Sequence, residues 1–91
     1  MGTNLSVGGW TPYSTTISSD AQKVFDAVIK PLMGVHYTPL AVATQVVAGL
    51  NYRFFCNYKV VYPNSPNEAA IVEIYQPVQG TAHVTSIKKV D

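Results

Sequence analysis

Charge is scarce in this chain. Only 12% of its 91 residues are Asp, Glu, Lys or Arg, and six basic against five acidic side chains leave a net +1. A surface that holds phosphates needs a basic face, so this balance speaks against a nucleic-acid partner. Cysteine is nearly absent too. Cys56 stands alone, which excludes an intramolecular disulfide and leaves the fold to packing. That usage suits a reducing compartment. No stretch approaches the ~20 consecutive apolar residues of a membrane-spanning helix. The amino terminus lacks the pattern of a secretory leader, so the expected compartment is cytoplasmic. A secreted protein whose leader has been removed would read the same way.

Apolar residues supply 47% of the chain, too many for a disordered segment. At this length roughly 60–65% of the unfolded surface is buried on folding. One core fits and a deep enclosed site does not, so residues 1–91 read as a single domain. Met1-Gly2-Thr3-Asn4-Leu5-Ser6 satisfies a loose myristoylation pattern, and Asn4-Leu5-Ser6 is a glycosylation sequon. Both are read as chance matches.

Residues 1–17 are rich in Gly, Ser and Thr and contain Pro12. They predict a loose arm, flexible over 1–7, leading into a short strand around Trp10–Tyr13. Ser19-Asp20-Ala21-Gln22 offers a capping box with Ser19 as the cap. Ala21, Val24, Phe25, Val28, Ile29 and Leu32 follow at the spacing of one helical face. Pro31 predicts a kink or terminal turn, and Gly34 a stop. From Tyr37 onward Val, Thr, Tyr and Phe dominate, as in strands. The expected strands are Thr38–Val47, Leu50–Tyr62, Ala70–Gln76 and Thr81–Val90, with a loop at 63–67. Tyr52, Phe54, Cys56, Tyr58 and Val60 alternate along one face, while Phe55 and Val61 fall on the other. Short connections make an antiparallel meander, and the amphipathic helix is its only cover. The predicted class is α+β, with a curved sheet wrapped on one long helix.

Residues with chemistry to offer are dispersed. Cys56 lies mid-strand on the apolar face, where a thiol is structural. His36 and His83 lack metal-ligand spacing. Asp20, Asp26, Glu68, Glu73 and Asp91 form no evident pair, and Lys88-Lys89 reads as a solvated strand end. No cofactor or metal is implied, and the chain does not read as an enzyme.

Gln45-Val46-Val47-Ala48-Gly49 is the exception to ordinary patterning. Turns favour Gly, Asn, Asp, Ser and Pro, yet two valines stand at this hairpin tip. In a meander the turns at 48–49 and 77–80 fall at the same end of the sheet. Two apolar tips would then lie side by side, as at an interaction surface. Alternatively Val46 and Val47 point into the core.

Those residues carry a resemblance. The chain resembles the cystatins, and most of all their stefin branch of cysteine-protease inhibitors. Gln45-Val46-Val47-Ala48-Gly49 matches the family's Gln-x-Val-x-Gly motif in full, flanked by Thr44 and Asn51-Tyr52. Val7-Gly8-Gly9 matches its amino-terminal glycine signature. Lys30-Pro31 is similar to a pair late in the stefin helix, and Gln76-Pro77-Val78 occupies the place of the second binding hairpin. The likeness covers about residues 7–90.

The resemblance implies a helix wrapped by an antiparallel sheet of about five strands. It implies reversible, competitive, tight-binding inhibition of papain-like proteases by a wedge that fills their cleft. Leu5, Ser6 and Val7 would line subsites on one side of the catalytic cysteine, Gly8 and Gly9 would let the arm cross the rim, and Gln45 to Gly49 would lie over the centre. Gln76, Pro77 and Val78 would brace the other side. The partners implied are cathepsin-like proteases, with no nucleic acid or membrane. The assembly implied is a monomer able to swap its helix and flanking strand into a dimer, helped by strain at Val47. Two departures stand out. Many relatives carry Pro-Trp where this chain has Pro77-Val78, and Trp10 after the glycines is unaccounted for. The competing reading is a non-inhibitory module on the same scaffold, since a fold does not fix a function.

Overall fold

In the computed structural model, which describes residues 8–90, helix α1 (Ser19–Ile29) is followed by strands β1 (Val35–Val47), β2 (Gly49–Val60), β3 (Glu68–Gln76) and β4 (His83–Val90). The predicted flexible arm at 1–7, and with it Leu5, Ser6 and Val7, lies outside the described residues.

The helix starts one residue earlier than the capping box predicts. Ser18 is the cap, and its hydroxyl accepts the Ala21 N–H at 3.1 Å. The third helical position is then Ala21, which has no side chain to reach back. Gln22 instead donates forward to the Asp26 carboxylate at 2.9 Å. Asp20 in the first turn faces the positive end of the helix dipole. The helix ends at Ile29 with Lys30 as its C-cap, because Pro31 has no N–H to continue the ladder. Leu32 therefore leaves the apolar face and is exposed. Gly34 does not stop the helix. It turns the chain with φ 86°, and its carbonyl accepts the Val61 N–H at 3.0 Å, tying this corner to the far end of β2.

The strands form one antiparallel sheet in the order β1-β2-β3-β4. β1 begins at Val35, earlier than expected, because His36 and Tyr37 pair with Lys59 and Tyr58. Pro39 is tolerated inside β1 where the register slips between Pro39 and Ala41, since a bulge leaves no ladder bond for proline to miss. The predicted strand at Trp10–Tyr13 is reduced to two isolated bridges, Trp10 to Gln45 and Ser14 to Val42, on the outer edge of β1. Pro12 lies between them and cannot donate a ladder bond. The sheet of the described residues thus has four strands with a partial fifth segment along one edge.

Ala21, Phe25 and Ile29 press the helix onto Val42, Tyr52, Phe54, Cys56, Val72 and Ile74. Phe54 is fully buried. It meets Phe25 edge-on at 4.8 Å and stacks beside Tyr52 at 5.8 Å. The opposite sheet face is partly covered by the arm. Tyr13 packs edge-on against Phe55 at 6.4 Å, which explains the aromatic residue that breaks the apolar alternation of β2. Among the described residues no helix is long and apolar enough to cross a membrane.

Cys56 is buried, and burial pushes its thiol from 9.0 up to about 12. Burial raises the Tyr37 and Tyr52 hydroxyls as well. An unfolded chain loses these protons at lower pH than the folded one, so alkali stabilises the unfolded state. Stability should be flat below pH 9 and fall as pH climbs from there toward 12, by at most ~1.4 kcal/mol per pH unit from the thiol alone. Urea denaturation from pH 7 to 11 checks the sign. The same thiol should resist labelling at pH 8 until the chain unfolds. At the helix start, Ser18→Ala should cost about 1 kcal/mol, whereas Ser19→Ala should stay within ~0.5 kcal/mol. The same denaturation curves separate the two serines.

Candidate functional site

Three chain segments line up at one end of the sheet. β1 and β2 meet in a hairpin whose last pair is Val47 with Gly49, leaving Ala48 at the apex. On one side runs the arm, where the Gly8 N–H donates to the Val46 carbonyl at 3.3 Å. On the other side lies the connection from β3 to β4, since Leu50 pairs with Gln76. The order across this end is Gly8, then Val46 to Gly49, then Gln76 to Gly80.

Gly49 holds the two hairpins together. Its φ is 104°, a region that residues with a Cβ rarely adopt. A Cβ here would drive into the Gln76 carbonyl oxygen and sit 3.0 Å from the Pro77 Cα. The absent side chain is what lets the backbones of the two hairpins touch. The left-handed angle of this turn falls on Gly49, so Val47 carries no strain of that kind.

Side-chain hydrogen bonds brace the row. The Gln45 amide donates to the Gly8 carbonyl at 2.8 Å, and its oxygen accepts from Asn51 at 2.7 Å. The Tyr75 hydroxyl donates to the Ala48 carbonyl at the apex. The Gln76 amide donates to the carbonyls of Pro77 and Gly80, each at 3.1 Å, and so closes its own hairpin. Gln45 and Gln76 are therefore struts, and their amides are spent inside the molecule. Asn51 and Tyr75 complete the bracing. Nothing in the sequence pattern marks Tyr75 for this task, because its partner is a backbone carbonyl 27 positions away.

The apolar tips differ in exposure. Val46 is 38% exposed and Val78 is 78% exposed, so Val78 has the larger area to lose on docking. Ala48 is exposed, while Val47 and Pro77 are half-buried. Of the two readings left open by the sequence, exposure holds for Val46, while Val47 is half-buried and lies between them. Gly8 and Gly9 are exposed, and a Cβ on Gly8 would meet nothing within 4 Å despite its φ of 95°.

The remaining polar groups lie elsewhere. A groove of about 370 Å³ opens at the other end of the molecule, between the end of α1 and the start of β1, with His36, Met33 and Val61 in its lining. Among the described residues, no three His, Cys, Asp or Glu side chains gather to hold a metal ion. Glu73 accepts from Arg53 at 2.6 Å. Lys88 and Lys89 are exposed at the end of β4, as expected, and from there Lys89 reaches Glu68 at 3.3 Å and lies over the Tyr58 ring.

Gly49→Ala tests the contact between hairpins. It should cost about 1–3 kcal/mol from the backbone angle alone, and more from the collision with Gln76. In amide proton spectra the disturbance should spread to residues 76–80. Shifts confined to residues 47–51 would contradict the packing described.

Scanned against models of known protein families, the chain matches none, and a search of curated proteins returns no match either.

Proposed function

We propose that this protein is a reversible, competitive inhibitor of papain-like cysteine proteases, with a cystatin-like fold in which the arm stands in for the fifth strand. The observation that carries the proposal is the single row formed by Gly8, Val46 to Gly49 and Gln76 to Gly80. It joins the three segments that the cystatin resemblance names, at one end of the sheet. Leu5, Ser6 and Val7 would continue the row into the protease subsites.

The physics of the row suits an inhibitor. A competitive blocker needs a fixed shape that a cleft can close upon. Here Tyr75, Gln76, Gln45 and Gly49 fix the backbone before any partner arrives. Little conformational entropy is then left to lose on docking, so more of the gain from desolvation survives as affinity. Val46 and Val78 supply that gain, at most about 1.5–3 kcal/mol for each valine fully buried. No part of this scheme asks the chain to perform chemistry. The row would occupy the cleft without placing a scissile carbonyl against the protease thiolate.

Titrating papain with the purified chain at several substrate concentrations tests the proposal. Stoichiometric inhibition that rising substrate relieves is the expected outcome. Absence of inhibition at micromolar folded protein would leave a binding module on this scaffold instead. Val46→Asp should keep the fold, because Val46 is already exposed, and should weaken inhibition at least tenfold. Inhibition equal to the parent would remove the first hairpin from the contact. Deleting residues 1–7 should chiefly speed dissociation, measured by displacement from the complex.

A further inference from the structure

Nothing in the proposed wedge uses the sheet face turned away from the helix, yet that face holds a three-part clamp. The indole of Trp10, the sole tryptophan, lies under the Arg53 guanidinium at 3.9 Å from the ring centroid. Arg53 in turn donates through Nε to the Glu73 carboxylate at 2.6 Å. The three residues come from three segments: the arm, β2 and β3. β1 runs between the arm and β2, and its residue paired with Arg53 is Ala43, buried at 2% exposure. A larger residue there would stand in the path of the guanidinium.

Between Gly8 and Ser14 the arm is held to β1 at separate points rather than by a continuous ladder: Gly8 to Val46 at 3.3 Å, Thr11 to Thr44 at 2.9 Å and Ser14 with Val42 at 2.9 Å each way, with the Gln45 amide on the Gly8 carbonyl at 2.8 Å. Edge segments with few ladder bonds open at low cost. The stack on Trp10 lies two residues from Gly8. Glu73 holds the guanidinium in place, so stacking forfeits less side-chain freedom than it would with a loose arginine.

We infer that Trp10 is a positioning residue that, together with the Gln45 strut, keeps the amino-terminal arm aligned with the two hairpins, and that the Arg53–Glu73 pair is its lock. The lifetime of a protease complex is then set partly by a charged pair that does not touch the protease. This consequence rests on the inhibitor reading, whereas the anchoring itself does not.

The sole tryptophan gives a readout that needs no protease. In the full chain, Arg53→Ala should shift Trp10 emission to longer wavelength and raise its quenching by acrylamide, with the far-ultraviolet dichroism unchanged. Arg53→Lys should restore part of the protection. Glu73→Gln should act in the same direction as Arg53→Ala and serves if that variant does not fold. Quenching equal to the parent in Arg53→Ala and Glu73→Gln overturns the anchor. With papain, Arg53→Ala should dissociate about threefold to thirtyfold faster, the span of cation–π strengths from exposed to desolvated sites, at an unchanged association rate. Equal dissociation rates alongside altered quenching overturn the role in complex lifetime. A parent chain that fails to inhibit papain overturns that role together with the inhibitor reading, while the quenching result still decides the anchor.

Discussion

The structure depends on one act of burial, the seating of Phe25 against Phe54. A four-strand meander has an apolar face that water must not reach, and among the described residues a single helix is available to cover it. Phe54 is fully buried at the centre of β2, with Phe25 edge-on above it and Tyr52 beside it. Aromatic rings in this arrangement gain beyond their area burial. The positions of the hairpins follow from that seat. Once β2 is fixed by Phe54, the register carries β1 and β3 with it, and the turns at their ends fall in one row.

The second face of the sheet is covered differently. No second helix packs there among the described residues. The arm crosses the edge of β1 and lays Trp10 and Tyr13 over β2, against Arg53 and Phe55. The cover combines aromatic contact with one ion pair, each partner about a third exposed. A pair so exposed contributes little on its own. Its value here is geometric, because it fixes where the guanidinium can receive the indole.

Much of the fold was legible in the sequence, for reasons that individual residues show. The alternation of Tyr52, Phe54, Cys56 and Tyr58 reported a buried face, and that face is buried. The spacing of Ala21, Phe25 and Ile29 reported the helix and its inward stripe. Boundaries were less legible. Ser18 and Ser19 are equivalent by propensity, and the choice between them depends on how the chain approaches through Ile17, which packs on the core. The segment at 10–14 has strand-like composition, but Pro12 interrupts the pairing, and edge position is not written in composition. At the site, Gln45 and Gly49 were legible through resemblance, whereas their physical tasks were not. That Gln45 is a strut and that Gly49 gives room to a second hairpin are long-range facts. The same holds for Trp10, whose partners lie 43 and 63 positions away in sequence by way of Arg53 and Glu73.

The sizes of the parts decide which of them would matter most in a complex. Forming any complex costs upward of ~4 kcal/mol in lost rigid-body freedom. Two valines contribute about 1.5–3 kcal/mol each when fully buried, and Val46 starts with only 38% of its surface exposed. The hairpin tips therefore do little more than offset the cost of meeting. Tight binding, if the chain is an inhibitor as proposed, would have to draw on the backbone of the hairpins and on the arm. The amides of Gln45 and Gln76 are engaged internally and add nothing without breaking the struts. Val78 would offer less area to a partner than an aromatic residue at the same tip. The arm is then the segment whose contribution can vary most, and a contribution from a tethered segment is realised only if the tether is held in line. On this reasoning the indole–guanidinium contact, remote from the proposed cleft, would act on affinity through the arm that it holds in line.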